Sequence, residues 1–80
     1  MNHFKHRLCN DELPPAAGDE DTVDTLHIQR GKIKGTDLIV TRSFWQPSAE
    51  ELAMLNEGGA VCLQVFGSTH APLRIDAVPA

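Results

Sequence analysis

The segment SFWQPSAEELAMLNEGG, residues 43–59, marks a strand-to-helix joint in the middle of the chain. Ser43, Phe44 and Trp45 end a stretch rich in β-branched and aromatic residues, and Pro47 stops it because proline cannot donate to a strand ladder. Ser48 then stands three residues before Glu51. That is the S-x-x-E capping box, in which each residue's side chain satisfies the other's backbone N–H. Glu50 and Glu51 also complement the positive end of the helix dipole. Leu52 and Leu55, flanked by Ala49 and Met54, place an apolar stripe on one side, and Gly58 and Gly59 supply the stop. A helix of about ten residues is marginal alone in water, so this one is expected to pack on a sheet.

The flanking segments predict that sheet. Leu26 and Ile28 alternate with His27 and Gln29, as in a half-buried strand. Gly31 and Gly35 place a hairpin turn between 31 and 36. TDLIVTRSFW reads as a strand over about 37–45. After the helix, AVCLQVF puts Val61, Leu63 and Val65 on one face. The loop GSTHAP follows, and then LRIDAV with Leu73, Ile75 and Ala77 on one face and Arg74 and Asp76 on the other. So short a loop favours antiparallel pairing. Residues 1–24 differ in texture. Pro14, Pro15 and Gly18 stand among Asp11, Glu12, Asp19, Glu20, Asp21 and Asp24, six of the eleven acids in the chain. This is too little apolar surface to offset ordering entropy, although Phe4–Leu8 leave room for a short strand or helical turn. The expectation is one α+β domain over 25–80. It would be a small antiparallel sheet of about four strands in β-β-α-β-β order, with one short helix packed on it and a flexible acidic arm over 1–24.

The expected domain over 25–80 is small, and oligomerisation is a common remedy. The strand VCLQVF is apolar on both faces: Cys62 and Phe66 oppose Val61, Leu63 and Val65. One helix covers one face, so a homodimer is expected to cover the other. The net charge of −4 disfavours nucleic acid as a partner, since that binding depends on Lys and Arg neutralising phosphates. No run of about 18 apolar residues could span a membrane, and MNHFKHRLCNDELPP lacks the apolar centre of a secretory signal. A cytoplasmic location is expected, and there Cys9 and Cys62 stay reduced.

Four groups could carry chemistry. His3, His6 and Cys9 form H-x-x-H-x-x-C, a partial zinc pattern without a second ligand pair; a mobile arm that happens to hold histidines is the plainer reading. Arg30, Lys32 and Lys34 fall at period two and, with Arg42, could hold an anion or an acidic protein surface. A solvated strand face that discourages edge aggregation is the alternative. His70 follows Ser68 and Thr69, but adjacent residues of one tight loop do not build a nucleophile, an orienting acid and an oxyanion hole, so no enzyme is expected. Phe44 and Trp45 point to opposite faces of one strand. Trp45 is read as core, and as a contact residue if it is exposed. No cofactor motif is present.

The run from Phe44 to Pro72 resembles a group of small uncharacterised phage and prophage proteins. They share an aromatic, a proline and Ser/Thr, E-E-L, a glycine after the helix, V-x-L-x-V-x-G and a His-x-Pro. Trp45, Pro47, Ser48, Glu50, Glu51, Leu52, Leu55, Gly58, Val61, Leu63, Val65, Gly67, His70 and Pro72 match that pattern, and the likeness covers residues 38–78. It implies phage or mobile-element origin and no particular activity. The resulting expectation is a non-enzymatic accessory protein that binds a host or phage protein, with inhibition of a host defence system as one such role. Arg30, Lys32, Lys34, Arg42, Trp45 and His70 are its expected contacts. The alternative is a protein that sequesters a small anionic nucleotide on the same residues.

Overall fold

A computed structural model describes residues 1–21 and 23–80; Thr22, inside the expected acidic arm, lies outside the described residues. Among the described residues five strands precede one helix: β1 (Asn2–His3), β2 (Asp11–Leu13), β3 (Leu26–Lys32), β4 (Ile39–Ser43), β5 (Trp45–Gln46) and α1 (Ala49–Asn56). They form two antiparallel sheets, a three-stranded β2-β3-β4 and a two-stranded β1-β5. Mixed α+β architecture is therefore observed.

The central hairpin follows the sequence closely. β3 and β4 pair from Ile28↔Ser43 to Lys32↔Ile39. Ile33 to Thr36 make the turn: the Thr36 N–H donates to the Ile33 carbonyl at 3.0 Å, and Gly35 takes φ +82°, which glycine adopts without strain. The strand expected over 37–45 forms as β4 and β5, broken at Phe44. That break lets one stretch of chain serve two partners, since Ile39–Ser43 pair with β3 while Trp45 and Gln46 pair with His3 and Asn2.

The helix signals are realised as well. The Glu51 N–H donates to Ser48 Oγ at 3.1 Å, and the Ser48 N–H donates to Glu51 Oε1 at 2.9 Å. At the other end the Gly58 N–H reaches the Leu55 carbonyl at 3.1 Å, and the Gly59 N–H reaches the Met54 carbonyl at 2.9 Å. With Gly58 at φ +92° this is a Schellman stop. Close approach explains the second glycine, because a Cβ on Gly59 would lie 2.7 Å from the Met54 oxygen.

Three expectations are corrected. First, the strands expected at AVCLQVF and LRIDAV do not form; no residue after Asn56 is in a helix or strand. The strand order is β-β-β-β-β-α rather than β-β-α-β-β. Alternation prepares a segment for pairing, but it does not by itself bring these two stretches to each other or to the open edge of β4. Second, strands occur in the N-terminal region, where β2 pairs with β3 from Asp11↔Ile28 to Leu13↔Leu26 and β1 pairs with β5. Backbone pairing and side-chain bonds supply what apolar burial does not: Asn10 exchanges two hydrogen bonds with the Arg30 backbone, at 2.8 and 3.0 Å. Third, the helix does not bury itself on the sheet, since none of its residues is buried.

The core is correspondingly small. Among the described residues only Ile28 and Phe44 are buried hydrophobics, joined by the buried His6. The accessible surface is 7072 Å², whereas a folded monomer of 8.8 kDa exposes about 4,800 Å² by the usual mass scaling. No helix among the described residues is long and apolar enough to cross a membrane.

Candidate functional site

A broad concavity of about 2140 Å³ opens between the β3–β4 hairpin, α1 and the segments 59–64 and 72–80. Its wall is largely apolar and exposed, with Ile39, Leu52, Val61, Leu63, Leu73 and Ile75 all at the surface. Small-molecule pockets usually enclose about 300–1,000 Å³ and bury most of the ligand. This hollow is larger and open.

Lys32, Lys34, Arg42 and Trp45 border it, whereas Arg30 and His70 do not. The register separates the basic residues further. Arg30 pairs with Thr41 and Lys32 with Ile39, so these two share a sheet face, while Arg42 pairs with Gln29 and projects to the other. Lys34 lies beyond the end of β3, in the turn. Arg30 is already engaged, with its guanidinium 3.5 Å from Asp11 on β2. The four cations therefore do not converge on one anion. His70 lies in the open tail, its Nδ1 2.8 Å from the Ala71 carbonyl.

The aromatic pair divides as strand geometry requires, but in the opposite sense to the expectation for Trp45. Phe44 is 7% exposed and Trp45 is 48% exposed. The Trp45 indole N–H donates to Ser43 Oγ at 2.8 Å, and its ring meets His3 edge-on with centroids 5.3 Å apart. This fixes an exposed amphipathic plate at the rim.

His6 is the residue that sequence reasoning placed worst. Its ring stacks on Phe44 with centroids 4.2 Å apart and planes 10° from parallel. Nδ1 accepts from the Leu8 N–H at 3.2 Å, and Nε2 lies 3.0 Å from the Pro79 carbonyl, to which it donates in the tautomer that satisfies both contacts. Both nitrogens are thus occupied by protein. His3 faces Asp24 at 3.8 Å, and Cys9 and Cys62 are free thiols. No three metal-binding side chains come together among the described residues. The alternation Phe4-x-His6 was the available signal for His6, since it places both rings on one side of an extended segment.

Two further features had no sequence signal. The Met1 ammonium bonds Glu51 Oε2 at 2.8 Å, tying the chain start to α1. That hydrogen bond, with the Ser48 N–H second, holds the Glu51 carboxyl at about 2, below its usual 4.5. Gln29 Oε1 is buried without a hydrogen-bond partner among the described residues. A smaller depression of about 280 Å³, lined by Lys5, Cys9, Asn10, Asp11, Glu12 and His27, lies on the β2 side. Its two carboxylates have neighbours close by, Glu12 with His27 at 3.8 Å and Asp11 with Arg30 at 3.5 Å.

No family model, curated protein or solved structure matches the chain. The likeness to phage and prophage proteins rests on its residues alone.

Proposed function

We propose that the chain is a non-enzymatic interaction protein of phage or prophage origin that binds a host or phage protein in the host cytoplasm. The observation that carries this reading is the open apolar concavity with its basic and aromatic rim. Exposed apolar area of this extent marks a surface that another protein covers. Lys32, Lys34 and Arg42 suit a partner that is apolar at the centre and acidic at the edge, and Trp45 is a residue type enriched at binding hot spots. The dispersal of the four cations weighs against nucleotide sequestration, which needs converging donors.

The test is co-purification from the host with the wild-type chain and with a Lys32→Glu/Trp45→Ala variant. A stoichiometric partner that the variant loses supports the reading. A thermal shift with a nucleotide and no captured protein would replace it with the small-ligand alternative.

A further inference from the structure

We infer that the chain completes its sheet with a second copy of itself: residues 61–65 of each copy add as a strand to the free edge of β4 in the other. This rests on the reading of the concavity as a protein-covered surface, and it names the occupant of its apolar floor.

Four observations converge. The three-stranded sheet has the order β2-β3-β4, so β4 is an edge, and among the described residues no backbone hydrogen bond reaches Ile39–Ser43 from beyond β3. The edge sequence IVTRS is favourable to strands, contains no proline and carries one charge, so little blunts it. Residues 60–78 make no backbone–backbone hydrogen bond among the described residues, and all of them are exposed. Within that stretch Val61, Leu63 and Val65 keep the period-two pattern of a strand. Five residues on the edge face five in the segment.

Anchoring explains why the chain does not pair with itself. The segment is held at one end by the Gly59 N–H on the Met54 carbonyl, and at the other by the Pro79 and Ala80 carbonyls on His6 and Arg7. Between these anchors it borders the concavity without joining its own sheet. A second copy meets no such restraint, and a two-fold arrangement satisfies both edges at once. The area agrees. Each chain exposes about 2,300 Å² more than a folded monomer of its mass, ample for its share of the roughly 1,200–2,000 Å² that a specific interface buries in total. Backbone pairing of this kind supplies affinity, and the alternate apolar side chains supply register.

The experiment follows sedimentation mass and residue-resolved amide exchange of the full chain from about 1 to about 200 µM, where self-association is concentration-dependent by mass action. The mass should rise from 8.8 kDa to twice that value. Over the same range, the amides of Ile39–Ser43 that point away from β3, and the alternate amides of 61–65 that meet them, should slow about tenfold or more. A Leu63→Glu variant should stay at 8.8 kDa with β3–β4 pairing intact by the same exchange data. A wild-type chain that stays monomeric overturns the inference, and so does a dimer in which either segment remains unprotected. Protection of 61–65 that does not depend on concentration also overturns it, since that is pairing within one chain. Because partner capture is measured separately, a monomer that still binds a host protein removes the self-pairing alone.

Discussion

The strand region, residues 2–46, and the tail, residues 57–80, have similar apolar patterning but different outcomes. In the first, each strand has a neighbour: β2 and β4 flank β3, and β1 takes the far end of the β4–β5 stretch. In the second, Val61, Leu63, Val65, Leu73 and Ile75 alternate as well as Leu26 and Ile28 do, yet they remain exposed and unpaired. The difference shows that alternation specifies a face, while pairing also needs the segment to reach an open edge. It also locates stability in the hairpin and its small core rather than in the most apolar stretch of the sequence.

That contrast can be broken most forcefully at Ile28 and Phe44. Ile28→Ala should cost about 2–5 kcal/mol and Phe44→Ala about 3–5 kcal/mol, comparable with the whole stability expected of a chain this size. Leu73→Ala, of similar chemistry but in the exposed tail, should change urea stability of the monomer by no more than about 0.5 kcal/mol. Equal losses at both places would erase the distinction between the regions.

His6 is the next largest lever because it joins them. His6→Phe keeps a ring against Phe44 but loses the bonds to Leu8 and Pro79, so about 1–3 kcal/mol should be lost. Proteolysis at the chain end should become faster in the same variant. Unchanged cleavage near Pro79 would show that this contact does not hold the tail.

The helix termini come next. Gly58→Ala forces a side chain into a left-handed conformation and should cost about 1–2 kcal/mol. Ser48→Ala removes the N-cap and should cost about 1 kcal/mol. Both should appear as lost helicity in circular dichroism while the β3–β4 amides keep their protection.

The smallest effect is a pH dependence. Glu51 ionises at about 2 when folded and near 4.5 otherwise. Because the folded value is the lower one, its contribution is complete above pH 4.5 and is lost as the pH falls toward 2. Glu51→Gln preserves the capping geometry but not the ion pair with Met1, so its helicity should be flatter across that interval. An identical acid profile in wild type and variant would contradict the assignment.

Local signals were legible wherever a few neighbouring residues decide the outcome. Ser48 with Glu51, Gly58 with Gly59, and the turn at Gly35 all act within one or two turns of backbone, and each appears where its chemistry placed it. Arg30 and Lys32 likewise share a face because strand periodicity is local. The pairing of β1 with β5, the stacking of His6 on Phe44, and the choice of Trp45 rather than Phe44 for the surface depend on residues about 40 apart. No pattern within a single stretch encodes which partner will arrive. The strands expected at 60–66 and 73–78 fail for the same reason: apolar alternation sets their faces, but it does not bring them to each other or to the open edge of β4, because the tail is held at Gly59 and at Pro79. The scatter of Arg30 and Arg42 follows from register, which alternation alone does not determine.

In a single chain the tail is unpaired while the hairpin is closed. Residue-resolved amide exchange at a concentration low enough to hold the chain at 8.8 kDa tests this most directly. Slow exchange across Leu26–Lys32, with rates near those of unstructured peptide across 60–78, is the predicted result. Protection of 61–65 equal to that of Leu26–Lys32 in the dilute monomer would contradict it.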